Sequence, residues 1–125
     1  MTRLLVRLAV VLLLTVAAFW PAGPARAQAA QDFEAGVAAA KAGSLPQAIE
    51  LFTKAIEAGT LNDGDLARVH NNRGATHRRM GNIDAAINDF SRAIKLRSKY
   101  FRAYVNRGAD RKRIMPKRPS FDRRT

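Results

Sequence analysis

The chain contains no cysteine. Neither a disulfide nor a lipid-modified N-terminal cysteine is open to it, so its stability rests on packing. Aromatic residues make up only 7% of the sequence and a single one is Trp, which leaves too few to interleave with the basic residues as a platform for single-stranded nucleic acid. No apolar run reaches the roughly 20 residues that cross a bilayer as a helix. Acids are scarce, 10 against 22 Lys and Arg, for a net charge of +12. A Gly-rich phosphate loop is missing, and beyond Asp84 and Asp89 no two carboxylates lie three to five residues apart, so nothing resembles a catalytic set. The chain is expected not to be an enzyme and to carry no cofactor.

The longest apolar run, Leu8 to Trp20, follows Arg3 and Arg7 and is itself followed by Pro21, Gly23 and Pro24, which are expected to break a helix. Ala25-Arg26-Ala27 then supplies a small-x-small cleavage pattern. Residues 1–27 therefore read as a secretory signal cut before Gln28, with an uncleaved membrane anchor as the alternative. No adjacent arginines precede the run, which favours general secretory export over the twin-arginine route. The expected location is periplasmic or secreted. Behind the signal the charge is polarised: residues 28–66 hold two Lys against six acids, 67–106 nine basic residues against two acids, and 107–125 eight against two.

What the sequence does contain is self-similarity. Phe33 to Ile56 overlays Asn71 to Ile94, matching Gly36 with Gly74, Gly43 with Gly81, Ala48 with Ala86, Phe52 with Phe90, and Ala55-Ile56 with Ala93-Ile94. A third copy opens at Phe101, where Tyr104, Asn106, Arg107 and Gly108 answer His70, Asn72, Arg73 and Gly74. Each unit reads as two helices. In the first, Gln31 to Ala42 is stopped by Gly43, and Ser44 caps the next helix with Gln47 reaching back. Ala48, Ile49, Phe52, Ala55 and Ile56 then mark one apolar face of Pro46 to Ala58. In the second, Asp63 or Asp65 is expected to cap Leu66 to Met80, Gly81 stops it, and Asn82 caps a helix with the stripe Ala86, Ile87, Phe90, Ala93 and Ile94. Gly74 is expected to face Ala86 and let the two helices approach.

These residues resemble the tetratricopeptide repeat, a 34-residue helix-turn-helix. The likeness is strongest over Ala67 to Tyr100, where Gly74, Gly81, Ala86, Phe90, Ala93 and Leu96 hold the family spacings, and "NNRG" and "AINDFSRAIKL" are similar to many bacterial members. His70, Arg73, His77 and Ser98 depart from the usual aromatic, Leu, Tyr and Pro. The first repeat has Asp32, Ala35 and Ala39 where larger residues are usual, which suggests a thinly packed end. The resemblance implies an all-α superhelix, a tetratricopeptide solenoid with two full repeats at about 29–62 and 67–100 and a partial third at 101–109. The basic segment 110–125 lies outside the pattern and is expected to be disordered. It is either a functional extension or what remains of a longer repeat protein that lost its third repeat.

The family resemblance also implies a concave groove that binds a peptide or helix of a partner protein. By position the groove residues are Arg68, Asn71, Asn72, Ala75, Arg78 and Arg79 in repeat two, with Arg102, Val105 and Asn106 in repeat three. Some relatives clamp a terminal carboxylate with Lys, Asn and Arg at five such positions. Here only Asn72 and Arg102 match in type, and Phe33 and Val37 stand where Lys and Asn are needed, so the clamp does not carry over. The bland alternative for the arginines is a solvated face with Asp84 and Asp89 nearby. His70 and His77 share a helix face, but two imidazoles are too few for a metal, and packed core histidines are the better reading. The expected partner is a protein or peptide and not nucleic acid, with peripheral contact between the basic tail and anionic membrane or envelope polymer as the alternative.

Overall fold

A computed structural model describes residues 23–115. The apolar run expected to form the signal, and the tail from residue 116, lie outside the described residues. Five helices follow one another: α1 Pro24–Lys41, α2 Leu45–Glu57, α3 Asp63–Arg79, α4 Ile83–Leu96 and α5 Phe101–Ile114. Among the described residues there is no strand. Helix α1 packs on α2 and α3 on α4, α2 passes contact on to α3 and α4 to α5, and α3 touches α1 and α5 lightly. This is the stacked all-α solenoid that the repeat pattern implies.

The two glycine stops behave as the sequence indicates. Gly43 and Gly81 hold φ of 84° and 83°. Past each glycine the chain closes the same pair of bonds: Ser44 N–H donates to Ala39 at 2.9 Å and Gly43 to Ala40 at 3.2 Å, while Asn82 donates to His77 at 2.9 Å and Gly81 to Arg78 at 3.0 Å. These are Schellman closures, and they satisfy the orphan carbonyls of α1 and α3.

The helix starts differ from expectation in three places. Pro24 begins α1, because at the first helical position its missing N–H costs nothing. Ala25-Arg26-Ala27 therefore lie in the first turn of α1, which starts seven residues before Gln31, and Thr60 Oγ1 donates to the Ala25 carbonyl at 3.3 Å. Ser44 and Asn82 occupy cap positions without making a side-chain cap bond. The cap of α3 is Asn62, whose Oδ1 accepts from Asp65 N–H at 2.8 Å while its Nδ2 donates to Asp65 Oδ2 at 3.0 Å. Asp63 and Asp65 instead sit in the first turn, where the helix dipole favours negative charge. At the other end, α5 runs past residue 109 to Ile114. Met115 then turns extended at ψ 131°, as the residue before a proline must.

Packing rests on a Gly–Phe contact used twice. A Cβ placed on Gly74 would lie 2.9 Å from Phe90 Cε1 and 3.1 Å from Asp89 Cβ, and one placed on Gly36 would lie 2.7 Å from Phe52 Cε1. The glycine thus seats the phenylalanine of its own hairpin; Ala86, which the sequence pairs with Gly74, is not among its nearest neighbours. Phe52 and Phe90 are both fully buried, each contributing roughly 1.5–3 kcal/mol by leaving water. In the first repeat Phe33 supplies the bulk that Asp32, Ala35 and Ala39 lack: its ring packs on Phe52 with centroids 6.0 Å apart. For Gly108, the third member of the series, a Cβ would meet no described atom within 4 Å. Gly74→Ala should therefore destabilise the fold by about 1–3 kcal/mol through overpacking. Gly108→Ala should stabilise it by up to about 1 kcal/mol through helix propensity. Urea denaturation followed by circular dichroism reads both, and equal effects would contradict the seating of Phe90 on Gly74.

Candidate functional site

The residues assigned to the groove do not form one surface. Asn72, Ala75 and Arg79 come together with Val37, Ala40 and Lys41 of α1, with Phe52 of α2 and with Thr76, around a cleft of about 190 Å³. Of the α1 and α2 residues there, the sequence marks only Val37 as a groove position, because the other contacts depend on how the first repeat stacks against the second. Arg79 is exposed and donates to the Ala40 carbonyl, tying the end of α3 to the end of α1. Asn72 Nδ2 donates to the Arg68 carbonyl at 2.9 Å, leaving its Oδ1 without a donor among the described residues. Arg68 lies apart, its guanidinium 5.2 Å above the Phe33 ring and 3.5 Å from Asp65. Arg102 and Val105 are exposed on α5.

Asn71 and Arg78 need correction. Asn71 is only 3% exposed, and its Oδ1 accepts from Asn106 Nδ2 at 3.2 Å. Arg78 is half-buried: its guanidinium sits 5.7 Å from the Phe90 ring, donates to Asn106 Oδ1 at 3.3 Å and stands 3.9 Å from the fully buried Asp110. Asn71, Arg78, Asn106 and Asp110 thus join α3 to α5. In the repeat, successive first helices lie side by side, so the position nearest the next unit is covered when that unit is present.

Asp89 also stands where the sequence did not put it. It is 3% exposed, not part of a solvated face. Arg73 grips it with two bonds, Nε to Oδ2 at 2.9 Å and Nη2 to Oδ1 at 2.8 Å, and His70 Nδ1 lies 3.0 Å from Oδ1. Arg73 Nη1 extends the network to Thr53 Oγ1 of α2 at 3.0 Å. His77 Nε2 is 4.0 Å from Oδ2. The three polar departures on α3, at His70, Arg73 and His77, therefore converge on a single carboxylate. Among the described residues no group of three or more His, Cys, Asp or Glu is placed to hold a metal ion. A larger cleft of about 580 Å³ lies between α3 and α4, lined by Leu66, His70, Asn88, Ser91, Arg92, Lys95 and Leu96.

Residues 67–100 match the family model of the tetratricopeptide repeat. The segment is a tetratricopeptide repeat. Its hairpin, α3 and α4, is the one built around Asp89. Over 74 residues, 59% of its length, the chain is 35% identical to the DnaJ homolog subfamily C member 7 of Homo sapiens and 34% identical to that of Mus musculus. It spans only 15% of the length of these curated relatives. Among solved structures, the second tetratricopeptide domain of Spaghetti (RPAP3) bound to the HSP90 peptide SRMEEVD matches with TM-score 0.63 at 29% identity, over 70% of this chain and 77% of that one. The first such domain, bound to the same peptide, matches with TM-score 0.61 at 30% identity, over 67% of this chain and 64% of that one.

Burial opposes the charge on Asp89, but hydrogen bonds from His70 and Arg73, and their charges, outweigh it and hold the carboxyl below its ordinary 3.8. Burial pushes the His77 pKa below its ordinary 6.5; the Asp89 charge opposes that shift and Arg73 adds to it. Both shifts act in the same direction. A histidine that resists protonation in the fold loses stability to the unfolded chain as pH falls below 6.5, and a depressed carboxyl loses its contribution only as pH falls below 3.8 through its folded value. The urea midpoint should therefore decline in two stages on acidification. His77→Gln should remove the first stage. Asp89→Asn, which strands Arg73, should cost about 3–5 kcal/mol at neutral pH and remove the second. A midpoint unchanged by Asp89→Asn at pH 7 would show that the carboxylate does not hold α3 to α4.

Proposed function

We propose that this chain is a non-enzymatic protein-interaction module that binds a peptide or helix of a partner protein in the groove formed by α1 and α3. The observation that carries this is the cleft between those helices. Val37, Ala40, Phe52 and Ala75 give it an apolar floor, and Asn72 and Arg79 stand at its rim with unused hydrogen-bonding capacity. Such a site favours a segment with an apolar side chain for the floor and a carboxylate for Arg79. The likeness to the two Spaghetti (RPAP3) domains bound to an HSP90 peptide supports a peptide ligand. The clamp for a terminal carboxylate is not part of the proposal, since Phe33 and Val37 occupy two of its positions.

The signal-like residues 1–27 support an exported protein acting in a bacterial cell envelope. A second reading draws on the end of α5, where Arg111, Lys112 and Arg113 adjoin Ile114 and Met115, 53% and 64% exposed. Basic and apolar groups side by side suit an anionic membrane surface.

The test compares affinity capture from envelope extract by the chain lacking residues 1–27 and by its Asn72→Ala, Arg79→Ala variant. Asn71 is left intact because it is structural. The variant should keep its melting curve and lose its partner by about tenfold or more, the scale of two lost polar contacts. Equal recovery by both proteins would discard the groove. Recovery in both that instead follows co-sedimentation with anionic vesicles, and is lost on deleting residues 111–125, would favour the membrane reading.

A further inference from the structure

The third glycine of the series points to a second binding surface. In α1 and α3 the glycine at this repeat position seats a phenylalanine from the following helix, Phe52 on Gly36 and Phe90 on Gly74. In α5 the equivalent Gly108 seats no described residue. One position earlier, Arg73 of α3 receives the carboxylate that precedes Phe90 in α4. Its counterpart in α5, Arg107, stacks on the Tyr104 ring at 5.5 Å and has no acidic partner among the described residues. The flanking positions repeat as well. Phe101 stands for Ala67, which is buried with Ala93 of α4, and Tyr104 for His70, which reaches Asp89. Phe101 and Tyr104 are 78% and 42% exposed. Helix α5 thus presents, to no described residue, the surface on which α3 receives α4.

We propose that this face of α5 binds one amphipathic helix of a partner protein, carrying the α4 pattern of Ala, then Asp-Phe three residues on, then Ala after three more. The phenylalanine fills the notch at Gly108 and the aspartate takes a two-point bond from Arg107, as Phe90 and Asp89 do on α3. Charge supports an acidic anchor: α5 carries Arg102, Arg107, Arg111, Lys112 and Arg113 against Asp110 alone, and Asp110 is buried. The chain's own residues 116–125 do not fit this occupant, since Pro116 and Pro119 cannot enter a helix of that length. This surface lies on α5, not in the groove between α1 and α3, and stands without it.

The probe is a peptide with the sequence of Asn82–Arg97, added to the full chain. Amide chemical shifts should move along α5, with binding about tenfold weaker for Gly108→Leu in the chain or for Phe90→Ala in the peptide. The Gly108→Leu chain should melt no lower than the parent, because the notch is empty without the peptide. An Arg107→Asp chain should lose the peptide and regain it when the peptide carries Asp89→Arg. Shifts confined to α3, insensitive to Gly108→Leu, would mean that the peptide only displaces α4 and would overturn the proposal. So would no binding at millimolar peptide, binding that appears only once residues 116–125 are deleted, or self-association of the chain that Gly108→Leu abolishes.

Discussion

The Asp89 carboxylate is buried between two helices of a small solenoid that has no disulfide to hold them. Taking that charge from water costs several kcal/mol, and the structure meets the cost with three contacts from two side chains of α3. Arg73 makes a two-point bond, His70 adds a third contact, and Arg73 uses its remaining Nη1 on Thr53. One side chain of α3 thereby joins α4 to α2, which belong to different hairpins. The apolar contacts in the same region are small, chiefly alanines around two buried phenylalanines. Directional bonds to one carboxylate supply a register that alanine contacts alone would define weakly.

The same carboxylate explains why three unusual residues occur together. His70, Arg73 and His77 replace an aromatic, a leucine and a tyrosine of the usual repeat, and taken singly each would leave a polar group in the core. Taken with Asp89 they form one network, in which His77 Nδ1 is the one buried polar side-chain atom without a hydrogen-bond partner among the described residues. A solitary return of Arg73 to leucine would leave Asp89 with less than half its donors. Such positions can change together and not one at a time.

Periodicity and glycine stops made the fold legible because both are local: Gly43 and Gly81 need a positive φ that few other residues accept, and Ala86, Phe90 and Ala93 mark a face whatever packs on it. The capping residues were less legible. Asn62, Asp63 and Asp65 can all cap a helix by type, and only the backbone path chooses among them. The site was least legible. Asp89 reads as surface by type, and its partners lie 16 and 19 residues away on another helix. Asn71 and Arg78 read as groove residues by position, but whether that position is open depends on the next repeat. Asn106 arrives with α5 and covers it.

This dependence on the next unit separates the two surfaces left open. Between α1 and α3 both described helices are in place, and the groove still leaves Arg79 exposed with Asn72 and Ala75 half-buried beside it. On α5 the exposure of Phe101 and Tyr104 has another origin: the helix carries the residues that would receive a following helix, and no described residue occupies them. A solenoid buries each unit against its neighbours, so a retained seat costs stability for as long as it stays empty. Gly108 makes that cost visible. In an exposed helix interior a glycine is worse than alanine by close to 1 kcal/mol, and here it contacts no described residue that would offset the difference within the chain. Its geometry has a physical use only when a large side chain lies against it, as one does at Gly36 and at Gly74.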